Sequence, residues 1–122
     1  MKLARLVGVL LAAACATAAL AQTNTIERGK QVFAHWCAPC HGSGRGDDGA
    51  PMLPGTHALT LKYRGQKPGL LEERTDLPPE LIKAFVRTGV ASMPPFRKTE
   101  VSDADLEAIA AYLAETATER QR

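Results

Sequence analysis

The sequence predicts a small all-α domain of three to five short helices with one long loop, and three observations predict it. Apolar residues recur at helical spacing in three segments, and no stretch longer than a few residues alternates as a strand does. Glycine and proline crowd into one stretch, residues 42–79, with seven of the ten glycines and five of the eight prolines. The chain has 122 residues, which fits a single domain. With 45% hydrophobic and 23% charged residues, it is not a disordered chain.

The N-terminus reads as a removable segment. Lys2 and Arg5 precede an uncharged apolar run from Leu6 that ends in Ala19-Leu20-Ala21, a small-x-small cleavage pattern. Residues 1–21 are therefore expected to be a signal peptide cleaved after Ala21, leaving a domain of residues 22–122 in the periplasm. The run falls short of the roughly 20 apolar residues of a membrane span. Lipidation at Cys15 is the lesser option, because Leu11 sits one place too far upstream for it. Cleavage removes two of fifteen Lys and Arg and none of the thirteen Asp and Glu, so the remaining domain is formally neutral. Residues 22–71 carry +3 and residues 72–122 carry −3. No basic stripe with interleaved aromatics remains, which argues against nucleic-acid binding.

The first helix is expected to begin at Asn24 or Thr25, either of which can cap, with Glu27 in the first turn. Ile26, Gly29 and Phe33 share one of its faces. Residues 42–79 are expected to be loop. A second helix opens at Pro78-Pro79-Glu80 and stops at Gly89, with Leu81, Ile82, Phe85 and Val86 as its apolar residues. A third begins at Ser102, with Asp105 three residues on as a variant capping box. Leu106, Ile109, Ala110 and Leu113 make its buried stripe, with Tyr112 beside it. Three short helices and a 38-residue loop bury too little apolar area to offset chain entropy. That deficit points to a large bound cofactor.

Cys37-Ala38-Pro39-Cys40-His41 supplies the chemistry. Thiols at i and i+3 can form thioethers with the two vinyl groups of a haem, and the next residue, His41, can ligate the iron. Trp36-Cys37-Ala38-Pro39-Cys40 also resembles a thioredoxin active site, but that motif follows a strand, and the segment preceding it here has helical period. A structural zinc site lacks a second ligand pair. The candidate sixth iron ligand is Met93, 52 residues beyond His41 and stiffened by Pro94 and Pro95. Met52, only 11 residues past His41, is better read as a packing residue, and His35 and His57 as surface histidines.

These residues resemble those of monohaem class I c-type cytochromes over Thr25 to Ala114. The resemblance implies the small cytochrome c fold, short helices wrapped around one covalent haem c. It also implies an electron carrier rather than an enzyme. In that family the terminal helices cross at a glycine and an aromatic ring, here Gly29 and Tyr112, and Ala111-Tyr112-Leu113 matches the C-terminal helix. Gly49-Ala50-Pro51-Met52-Leu53 resembles the stretch whose proline carbonyl orients the haem histidine, which gives that role to Pro51. Leu61-Lys62-Tyr63-Arg64-Gly65, Arg74-Thr75-Asp76-Leu77 and the residues after Met93 are similar to cytochromes paired with flavoproteins that oxidise 4-alkylphenols, such as the cytochrome subunit of 4-cresol dehydrogenase. Lys62, Tyr63 and Arg64 are candidates to bind haem propionates, the alternative being a solvated basic loop. A redox protein, in the first instance such a flavoprotein dehydrogenase subunit, is the expected partner. Three alternatives stand beside it: a freely diffusing periplasmic carrier serving a terminal oxidase or another dehydrogenase, a haem protein with an open iron site, and a thiol oxidoreductase.

Overall fold

The computed structural model describes residues 21–122 and is helical. Helix α1 covers residues 21–36 of the described chain, and a turn at Cys37 leads into α2, Ala38–His41. Then follow α3, Pro54–Tyr63, a 3₁₀ turn at Leu71–Glu73, α4, Pro79–Thr88, and α5, Asp103–Arg120. The β pairing among the described residues is an isolated antiparallel bridge between Val90 and Met93. No described helix is long and apolar enough to cross a membrane. The expected signal peptide lies outside the described residues except for Ala21.

α4 and α5 form where the punctuation of the sequence puts them. Pro79 occupies the first turn of α4, where its missing N–H costs nothing, and Gly89 ends it at φ 69°, a left-handed conformation that glycine adopts without strain. The Ser102 hydroxyl accepts the Asp105 N–H at 3.1 Å and caps α5. The expected caps of α1 do not serve. Ala21 and Gln22 already lie in the helix, and the Thr25 hydroxyl donates back to the Ala21 carbonyl at 3.0 Å.

The expected loop over residues 42–79 is also corrected, since it contains α3 and the 3₁₀ turn. Pro54, following an extended Leu53, starts α3 as a first-turn proline does. The apolar period misses this helix because its inward residues are small or polar. Thr56 is buried, whereas Leu61 is 65% exposed.

The core gathers Val32 and Phe33 of α1, Ile82 and Val86 of α4, Val101, and Leu106, Ile109, Ala110, Tyr112 and Leu113 of α5. α1 and α5 cross in backbone contact. A Cβ built on Gly29 would stand 1.9 Å from the Ala108 carbonyl oxygen and 2.9 Å from the Tyr112 Cβ. The expected Gly29–Tyr112 contact is present, with the Ala108 backbone closer still. Beside it, the Phe33 and Tyr112 rings lie 5.6 Å apart, tilted by 55°. The Tyr112 hydroxyl donates to Glu72, and Arg120 Nε donates to the Glu72 carbonyl at 3.2 Å, so α5 also holds the 3₁₀ turn.

Substitution Gly29→Ala forces these helices apart and is expected to cost about 1–3 kcal/mol. Urea unfolding of the holoprotein, followed by far-ultraviolet circular dichroism, measures the loss.

Candidate functional site

α1 delivers the cysteine motif. The Cys37 N–H donates to the Phe33 carbonyl at 2.9 Å, which prolongs the helical winding through the turn. The His41 N–H then donates to the Cys37 carbonyl at 2.8 Å and the Gly42 N–H to the Ala38 carbonyl at 2.8 Å. Cys37, Cys40 and His41 are thereby held on one short helical segment. Neither cysteine is in a disulfide; Cys37 is half-buried against the core and Cys40 is exposed.

His41 packs on the first turn of α3. A Cβ at Gly55 would lie 2.8 Å from both Nδ1 and Cε1 of the ring, so only glycine leaves it room. Burial pushes the imidazole below its ordinary value and favours the neutral form that a metal ligand requires. Nδ1 is buried without a hydrogen-bond partner. No hydrogen bond from Nδ1 to the Pro51 carbonyl, the group expected to orient this ring, is made. Pro51 sits in an exposed bend, while the ring lies against α3 instead.

The Met93 side is built from α4 and the segment after it. Val90 and Met93 exchange N–H···O bonds of 3.0 and 2.9 Å around Ala91, which takes φ 51°. A Cβ at Gly89 would meet the Met93 carbonyl oxygen at 2.7 Å. The Phe96 N–H donates to the Val86 carbonyl at 2.8 Å, and Arg87 Nη1 donates to the Phe96 carbonyl at 3.0 Å. Met93 and Cys37 both pack on the same core, and the Trp36 ring meets the Phe96 ring edge-on at 5.9 Å. The structure therefore brings the methionine segment to the cysteine motif. Met52 is engaged elsewhere, its Sδ lying 3.5 Å from the Thr60 hydroxyl on α3. His35 is exposed against Trp36, and His57 lies on α3.

Tyr63 and Arg64, at the far end of α3, make other contacts. The Arg74 guanidinium lies over the Tyr63 ring at 4.6 Å, with the ammonium groups of Lys62 and Lys67 each 5.5 Å from its centroid. Arg74, only 4% exposed, also forms a two-pronged pair with Asp76, with Nε and Nη2 at 2.5 and 2.9 Å from the carboxylate oxygens. Arg64 is exposed and ends α3 in the left-handed region at φ 51°. Sequence reasoning passed over Gly55 and Thr56 beside His41, and Arg74 beside Tyr63; Pro54 after an apolar residue was the one local signal of α3.

The residues present fit a covalent haem. Two free thiols on one turn precede a half-buried imidazole whose Nδ1 is buried and unpartnered, and a thioether lies on the same core. They fit thiol exchange poorly. Burial, and secondarily the neighbouring Cys40, pushes the Cys37 thiol up to about 11, whereas an attacking cysteine is held low. The segment before the motif is a helix rather than a strand.

Residues 24–113 match the family described as cytochrome C oxidase, cbb3-type, subunit III. No curated protein and no solved structure matches the chain.

The Arg74–Asp76 pair carries a pH signature. Hydrogen bonds from Arg74, then Lys67, hold the Asp76 carboxyl well below the usual carboxylate range. A carboxyl depressed on folding contributes stability that is full above the unfolded value of about 4 and fades as pH falls through the folded one. Asp76→Asn is expected to destabilise the protein at neutral pH by about 1–3 kcal/mol, since it deprives a buried cation of its counter-charge. That deficit relative to wild type should shrink steadily in urea titrations carried out below pH about 4.

Proposed function

The chain belongs to this family of c-type cytochrome domains, which carry covalently bound haem c and transfer electrons rather than catalyse a reaction, and we propose the following specific role. It is an exported, periplasmic one-electron carrier. Cys37 and Cys40 hold one haem through thioethers, and His41 and Met93 are its axial ligands. The observation that supports this reading is that Cys37 and Met93 both pack on the same core. Bound haem supplies a reversible one-electron couple at its iron, raised in potential by a thioether ligand relative to stronger donors.

The chain's own residues set the conditions for that couple. The His41 ring packs against α3, and its partial burial favours the neutral form. The Val90–Met93 bridge and the Arg87–Phe96 bond hold the Met93 segment rigid, so little rearrangement accompanies a change of charge. Exposed Cys40 and the half-exposed Trp36 mark the side open to a partner. Docking of this kind is small and transient and is guided by charge, here the division between a +3 and a −3 half of the mature chain.

The proposed partner is a flavoprotein dehydrogenase acting on 4-alkylphenols, on the likeness of the 61–65, 74–77 and post-Met93 segments to its cytochrome subunits. A second reading, a freely diffusing carrier that serves a terminal oxidase, draws support from the oxidase named in the family description.

Met93→Ala is expected to abolish the methionine-to-iron charge-transfer band of the ferric protein, and haem is expected to stay with the polypeptide through acid–acetone extraction. A band that survives the substitution refutes the ligand assignment; haem released by the solvent refutes covalent attachment. Affinity purification from the source is expected to recover a flavoprotein with the chain, and recovery of an oxidase instead supports the second reading.

A further inference from the structure

Thr56 is 7% exposed, and its hydroxyl donates to the carbonyl of Gly42, the residue after His41, at 2.9 Å. Its neighbour Gly55 touches the His41 ring itself. From the side of the following loop, Gly69 seats closely on the same helix, where a Cβ would come within 2.4 Å of the Thr56 carbonyl oxygen. α3 is thereby fixed in register at its first turn. A slip by one residue would rotate it by about 100° and move it by about 1.5 Å. The slip would strand the buried Thr56 hydroxyl and bring a Cβ onto the imidazole. Both costs select the same placement of the ring.

We propose that Thr56, through Gly42, and Gly55, by direct contact, are positioning residues that set the orientation of the His41 imidazole and through it the ligand field and reduction potential of the iron. The inference rests on the reading of His41 as an axial ligand.

The test uses the holoprotein with Thr56→Val, Thr56→Ser and Gly55→Ala, read by electron paramagnetic resonance of the ferric state, redox titration and thermal unfolding. Thr56→Val keeps the shape of the side chain without its hydroxyl and is expected to change the g-value anisotropy and shift the potential. Thr56→Ser, which retains the donor, is expected to preserve both. Gly55→Ala is expected to change the anisotropy although alanine favours helix over glycine; it decides the matter alone if the valine variant does not assemble with haem. The proposal is overturned if the valine variant only melts earlier with unchanged g-values and potential. It is equally overturned if serine behaves as valine does, or if Gly55→Ala leaves the spectrum as in wild type. A wild-type spectrum without imidazole ligation removes the His41 assignment and this inference with it. A normal wild-type spectrum with unmoved variants removes the inference alone.

Discussion

The backbone contact between α1 and α5 at Gly29 governs where everything else can lie. α1 runs into the cysteine motif through the Cys37–Phe33 hydrogen bond, so the depth and angle of its crossing set the position of Cys37, Cys40 and His41. α5 contributes more of the core than any other helix and binds the 3₁₀ turn through Tyr112 and Arg120. A single methyl group at position 29 would thus be felt at both ends of the chain. Interiors packed to crystal density transmit such displacements instead of absorbing them.

The His41 and Met93 segments, proposed to bear the axial ligands, are held by different means. On the His41 side the control is steric and local, from a glycine against the ring and a threonine tether on a helix start. On the Met93 side it is a network of backbone bonds that begins where α4 stops. Gly89 turns the chain, Val90 and Met93 close a tight bridge, and Phe96 returns to the Val86 carbonyl. The surface ion pairs nearby, Arg97 with Glu100 and Lys98 with Asp103, are largely solvent-exposed and contribute little, so the segment owes its shape to its backbone bonds and the Arg87–Phe96 bond. A carrier that changes only its charge benefits from this rigidity, because the proposed ligands would not need to move between oxidation states.

Much of this was legible in the sequence because the physical signals were local. Five contiguous residues identify the attachment motif by spacing alone. α4 and α5 announce themselves through Pro79, Gly89 and Ser102, whereas the helix crossing at Gly29 and Tyr112 was implied by the family resemblance. α3 escaped because hydrophobic period is a proxy for burial, and here the proxy fails: Thr56 faces inward to serve Gly42 while Leu61 faces water. The surroundings of His41 escaped with it, since they belong to that helix. The Arg74–Tyr63 stack joins residues eleven positions apart through a loop, a contact no periodicity encodes.

The apolar residues of α4 make the final link between fold and function. Ile82 and Val86 are buried in the core that α5 completes, while Leu81 and Phe85, one position out of phase, are each 36% exposed. A ten-residue helix that is apolar on two adjoining faces is built to lie between two partners. α5 is one of them. The other would be the haem, which is proposed to be held by Cys37 and Cys40 with Met93, after the same helix, as a ligand. The core of this domain is thin for about a hundred residues, so free energy of cofactor attachment becomes free energy of folding. On that account the chain needs no larger core of its own, because its prosthetic group supplies the missing interior and its chemistry together.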